Sequence, residues 1–208
     1  MWTERNTRRH GEKGRSVDAS VRWAVDIACD LATPPKIPKE KGTRKWTPPA
    51  ANNIKINVDA GFDESSRSGS TGVIIRNHYG EIIRAQALWY EFADDARSME
   101  ALALRDGIRL ADDLGLDNLE VESDALEVVN LCTAGSFRRA DIGAFCQQVH
   151  DLRDCFQSCT IRYIPREANE AAHRCAKQAS SARRRCLWVN YVPVFLRDCM
   201  HQTCNPME

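Results

Sequence analysis

The chain has 208 residues, 43% hydrophobic and 28% charged, and its 29 Lys and Arg balance 29 Asp and Glu. That suits one ordinary globular domain with flanking segments, or two small ones; it excludes a membrane-spanning helix, because no stretch approaches the roughly 18 consecutive apolar residues such a helix needs. The charge is uneven: residues 1–45 hold eleven Lys and Arg against six Asp and Glu, a net +5, which leaves −5 for the remainder.

Residues 1–45 read as a basic arm without a hydrophobic pattern, expected to be largely disordered. Only Val21–Leu31 has apolar spacing that would suit a short helix. Met1–Asn6 contains no apolar signal core, so an intracellular protein is expected, nuclear or cytoplasmic. Pro34, Pro35, Pro38, Pro48 and Pro49 mark a linker, which places the folded domain at 46–180 and a tail at 181–208.

Within the domain, Lys55–Phe62 alternates as a strand and Asp63–Ser70 is a polar loop. Thr71–Arg76 is a β-branched second strand, Asn77-His78-Tyr79-Gly80 a tight turn, and Glu81–Leu88 a third strand. Short turns make these three an antiparallel meander. Asp94–Leu114 has helical periodicity and Gly115 ends it. Leu119–Glu122 is a fourth strand, parallel to its neighbour because a helix connects the two. Ala125–Leu131 and Ile142–Phe156 read as helices, Thr160–Ile164 as a fifth strand and Glu167–Ala179 as a last helix. The expected class is α/β: a five-stranded mixed sheet with helices packed on it.

Nine cysteines are irregularly spaced and odd in number, so reduced thiols are expected. Cys155 with Cys159, or Cys199 with Cys204, has no second pair of matching spacing to complete a zinc site. Cys132, Cys146, Cys155 and Cys175 read as small core residues on helices. The apolar stretch Cys186–Leu196 in the tail is expected to pack back on its own domain, with docking on a partner as the alternative.

Three carboxylates stand out. Asp59 ends the apolar run Ile54–Asp59 of the first strand, Asp124 lies just past the fourth, and Glu100 sits among apolar residues one turn into the first helix. If strands one and four are parallel neighbours, Asp59 and Asp124 meet at their carboxyl ends, where open α/β sheets collect ligands. Grouped carboxylates repel unless a cation holds them together, and hard oxygen clusters are how proteins hold Mg2+. Glu120 and Glu122 read as edge or face residues that add to the negative field.

The residues Trp46-Thr47-Pro48-Pro49, Lys55–Ala60, Gly72–Arg76, Gly80, Glu100–Leu104, Val121–Asp124 and Arg166–His173, in this order, resemble the type 1 ribonuclease H domain. The resemblance is greatest to the version found in plant retroelement-derived, reverse transcriptase-like proteins, and it covers roughly 46–179. It implies a sheet of order 3-2-1-4-5 with the first three strands antiparallel and helices on both faces. It also implies hydrolysis of the RNA strand of RNA–DNA hybrids, with two Mg2+ or Mn2+ ions held by Asp59, Glu100, Asp124 and a fourth ligand. A monomer acting on nucleic acid and not on membranes is expected.

The fourth position, four residues after Asn169, is an acid in the family pattern and His173 here. Imidazole is a poorer ligand for Mg2+ than carboxylate and suits Mn2+ better. The loop Pro165–Ala168 also lacks the histidine that many such enzymes carry there. Asn169 and Arg166 are candidate substrate contacts, with Arg138, Arg139 and Arg162 as further cations for phosphate. The missing fourth carboxylate keeps an alternative open: a degenerate domain that binds nucleic acid or protein without cutting.

Overall fold

The structure, a computed structural model, describes residues 45–134, 142–197 and 199. The expected arm, the Val21–Leu31 helix, and Arg138 and Arg139 lie outside the described residues.

The strands are β1 (Ile54–Asp63), β2 (Ser68–Arg76), β3 (Ile82–Tyr90), β4 (Asn118–Ser123), β5 (Ser158–Tyr163) and β6 (Cys186–Val189). The helices are α1 (Ala96–Asp113), α2 (Leu126–Thr133), α3 (Gly143–Arg153) and α4 (Glu170–Ala182), with short 3-10 turns at Arg166–Ala168 and Val194–Leu196. They form one mixed sheet of order β5-β4-β1-β2-β3-β6. β1, β2 and β3 are antiparallel to one another, and β4 runs parallel to both β1 and β5.

The expected five strands are therefore corrected to six. β3 would otherwise leave an open edge of unpaired backbone groups. Cys186–Val189 fills it, with Arg84 opposite Val189 and Ala87 opposite Cys186. Trp188 then packs edge-on against Phe195, ring centroids 5.2 Å apart.

The alternation of β1 explains why the sheet is covered on both faces. Ile56 and Val58 join Val73, Leu104, Ile108, Val121 and Val129 in the core under α1, α2 and α3. The other face carries Ile74, Ala85 and Ala87, which pack against Ala171, Ala172, Cys175 and Ala179 of α4 and against Leu196. Each such fully buried Ile, Val or Leu contributes roughly 1.5–3 kcal/mol relative to exposure. Two glycines permit the close approach. A Cβ at Gly107 would sit 2.6 Å from a methyl of Val58, and one at Gly72 would overlap the backbone N of Ala176 and O of Ala172. α4 thus lies directly on β2, and its first turn is set beside the middle of β1.

Cys132, Cys146 and Cys175 are buried free thiols, as the helical spacing predicts. Cys155 is exposed, because it lies past the end of α3 and not on its buried face. Among the described residues, no helix is long and apolar enough to cross a membrane.

Candidate active site

β1 and β4 are parallel neighbours paired up to Val58 and Ser123, so Asp59 and Asp124 are the next residues where that pairing stops; Asp59 does not end its strand, because β1 continues beside β2 to Asp63. Asp59 shares a strand face with Lys55 and Asn57, opposite the apolar Ile56 and Val58. That polar face is the one α4 covers, and Asp59 is only 4% exposed. Glu100 reaches the same place from α1. The helix starts at its Asp95 cap, whose side chain accepts from the Ser98 N–H at 2.7 Å, and Glu100 follows one turn later.

The electrostatics couple Asp59 and Glu100 to Asp124. Burial, then the Asp59 and Asp124 carboxylates, push the Glu100 carboxyl up to about 9, against the pull of the Arg166 guanidinium and the backbone N–H of Ala60. Burial and then the Asp124 carboxylate push Asp59 up to about 7, opposed by His173. Asp59 and Glu100 are thus both disfavoured as anions by burial and by a neighbouring carboxylate.

His173 stands one turn into α4. Its Nδ1 lies 2.9 Å from Oδ2 of Asp59, and its Nε2 is 3.5 Å from a terminal nitrogen of Arg166. Arg166 is exposed at the rim. Asn169, read from the sequence as a substrate contact, is 1% exposed and stands behind the acids. Its amide donates to Oδ1 of Asp124 and to the Val58 carbonyl, both at 2.8 Å. The last helix predicted from Glu167 is interrupted here. A 3-10 turn ends at Ala168 and α4 begins at Glu170, with Asn169 between them turned into the site.

Glu120 and Glu122 do not add an uncompensated negative field. Lys55 lies 2.8 Å from Glu122 and 3.6 Å from Glu120, and Arg162 lies 2.6 Å from Glu120. This also commits Arg162 to an ion pair. The sequence reading missed a buried polar group next to the acids: Asn57, Arg76 and Trp46. Asn57 is bonded to Trp46, Arg76, Glu122 and Asn169. The signal was present, since Asn57 occupies the same alternating face as Asp59.

The donors present suit a divalent cation. Oε2 of Glu100 is buried with no hydrogen-bond partner, and the convergent oxygens are carboxylates, the hard ligands that Mg2+ and Mn2+ prefer. A cation among them would offset the burial and mutual repulsion that raise Asp59 and Glu100. Among the described residues, no three His, Cys, Asp or Glu side chains are already gathered in ligand geometry; one oxygen of Asp59 is engaged by His173. Asp59, Glu100 and Asp124 are the groups that would hold the ion, with His173 beside them.

Comparison with known proteins agrees with this architecture. The family model described as reverse transcriptase-like matches residues 57–179. No curated protein matches the chain. Among solved structures, the N-terminal RNase H domain of Rv2228c from Mycobacterium tuberculosis aligns at TM-score 0.58 and 20% identity, over 62% of this chain and 94% of that one. RNase H1 from the halophilic archaeon Halobacterium salinarum NRC-1 aligns at TM-score 0.58 and 20% identity, over 62% and 98%. LC11-RNase H1, solved in complex with an RNA/DNA hybrid, aligns at TM-score 0.55 and 16% identity, over 62% and 98%. Similarity at this level shows a shared fold.

Proposed function

The chain belongs to the reverse transcriptase-like family, its matched residues forming a ribonuclease H-like domain, and on that premise we propose that it hydrolyses the RNA strand of RNA–DNA hybrids with divalent metal ions. The observation that carries the proposal is the convergence of Asp59, Glu100 and Asp124, with a buried oxygen of Glu100 lacking any protein partner. Asp59, Glu100 and Asp124 would hold two Mg2+ or Mn2+ ions, which would supply activation of a water and stabilisation of the leaving oxygen. Arg166, at the rim, contacts the phosphate backbone, the contact that makes affinity fall with salt. The substrate is the class seen in the LC11-RNase H1 complex.

One observation favours a second reading, binding without cleavage: His173 occupies an oxygen of Asp59 that a metal would need. Incubation with labelled hybrid, duplex RNA, duplex DNA and single strands in Mg2+ or Mn2+ separates the two. Cleavage confined to the RNA of the hybrid supports the first. Retention of hybrid without cleavage in either metal, by folded protein, supports the second.

A further inference from the structure

Resting on that reading, we infer that Asn57 is a positioning residue: oriented by Trp46 and Arg76, it fixes the amide of Asn169 and thereby the Asp124 carboxylate.

The inference follows from which groups can only donate. Asn57 is fully buried on β1, two residues before Asp59. Its Oδ1 accepts from the indole N–H of Trp46 at 2.8 Å and from a terminal nitrogen of Arg76 at 2.6 Å. Neither indole nor guanidinium can accept, so the carbonyl end of the Asn57 amide must face them. The guanidinium is itself held, its central carbon 3.5 Å above the Trp46 ring. The amino end of Asn57 therefore points the other way. It donates to Oε2 of Glu122 at 3.0 Å and to Oδ1 of Asn169 at 3.3 Å.

That sets the next amide. With Oδ1 of Asn169 facing a donor, its Nδ2 faces Asp124 and the Val58 carbonyl. A flipped Asn169 would set its carbonyl oxygen against a carboxylate and a backbone oxygen and its amino group against that of Asn57. Amide orientation is ordinarily ambiguous; here the donor-only ends of the chain decide it. The result is that Asp124 always receives an N–H on Oδ1, and its carboxylate is held toward Asp59 and Glu100.

The test reverses the polarity with little change of shape or charge. In the double variant Asn57→Asp, Glu122→Gln, the new carboxylate still accepts from Trp46 and Arg76, and the new Gln amide donates to it. The donor to Asn169 is lost; the Lys55–Glu122 ion pair is lost as well, and Glu122→Gln alone is the control for that. The expected result is kcat for hybrid cleavage down by about tenfold or more with KM within about twofold, the range typical of groups behind metal ligands. Adding Asn169→Ala should then cost little further, although it costs the natural chain about as much as the double variant does. Wild-type kcat in the double variant, or a fully additive effect of Asn169→Ala, overturns the inference. If the double variant does not fold, Asn57→Ser carries the same comparison. A readout independent of cleavage is the Asn169 side-chain amide resonance. Asp124→Ala should move it in the natural chain and leave it in place in the double variant. No movement in the natural chain refutes the relay. Absence of hybrid cleavage by the natural chain, with the resonance moving as expected, counts against the proposed function and not against the relay.

Discussion

Nδ1 of His173 sits 2.9 Å from Oδ2 of Asp59, so the first turn of α4 is tied to the middle of β1 by an imidazole where the related pattern has an acid. The ring bridges outward as well, toward Arg166 at 3.5 Å. Two consequences follow. The site has one fewer negative charge than a four-acid cluster, and its fourth donor is a nitrogen. Both weaken Mg2+ more than Mn2+, because Mg2+ prefers oxygen ligands.

His173→Asp should therefore change metal preference. The ratio of cleavage rates in Mg2+ and Mn2+ is expected to rise by roughly tenfold, given the usual cost of altering a metal's surroundings. Rates in each metal, measured at saturating hybrid, check this. An unchanged ratio would mean that His173 stands outside the metal site.

Glu100 predicts a pH dependence for the metal-free protein. Its folded value, about 9, lies above its ordinary 4.5, so the folded state holds a proton that the unfolded chain releases. Stability contributed by this group is present below about 4.5 and is lost as pH rises toward about 9. Glu100→Gln should remove that slope and raise stability at pH 8 by roughly 2 kcal/mol, allowing for relaxation around the charge. Urea melts between pH 5 and 9 in chelator test the sign. A steeper loss with pH in the variant would contradict it.

Gly72→Ala should unseat α4. The added methyl overlaps backbone atoms of Ala172 and Ala176, and backbone cannot rotate away as a side chain can. A loss of roughly 2–3 kcal/mol is expected for such overpacking. Cleavage should fall further than the folded fraction, because α4 carries His173 and its entry carries Asn169. Urea melts and turnover on one preparation measure both. Unchanged stability would show that α4 packs less closely than described.

Thiol labelling tests the cysteine placement. Cys155 is exposed, whereas Cys132, Cys146 and Cys175 are buried; burial also pushes the Cys175 thiol up to about 12. Thiolate is the reactive form. Cys155→Ser should delete one fast-reacting thiol, and the three buried ones should label only on unfolding. Fast labelling of Cys175 in folded protein would contradict the α4 packing.

Much of this site could be read from the order of residues. Strand alternation put Asp59 opposite Ile56 and Val58, and the helical connection made β4 parallel to β1, which together bring Asp59 and Asp124 to the place where the β1–β4 pairing stops. Periodicity does not report what a polar group bonds to. Glu122 read as an edge or face residue adding to the negative field, yet its pairing with Lys55 across β1 and β4 depends on register. Asn169 looked free for substrate until its amide was seen to face Asp124. β6 escaped notice because its four residues are apolar without alternation, and its partner β3 is about a hundred residues earlier. Cys155 was misplaced by one helical turn, past the end of α3.

The most direct test is single-turnover cleavage of a hybrid with end-labelled RNA, in Mn2+ and in Mg2+, by the natural chain and by Asp59→Asn. The account predicts internal cuts in the RNA strand, faster in Mn2+, and a loss of at least roughly a thousandfold on removing the central metal-holding charge. Intact RNA in both metals from folded, hybrid-bound protein, or equal cutting by Asp59→Asn, would contradict it.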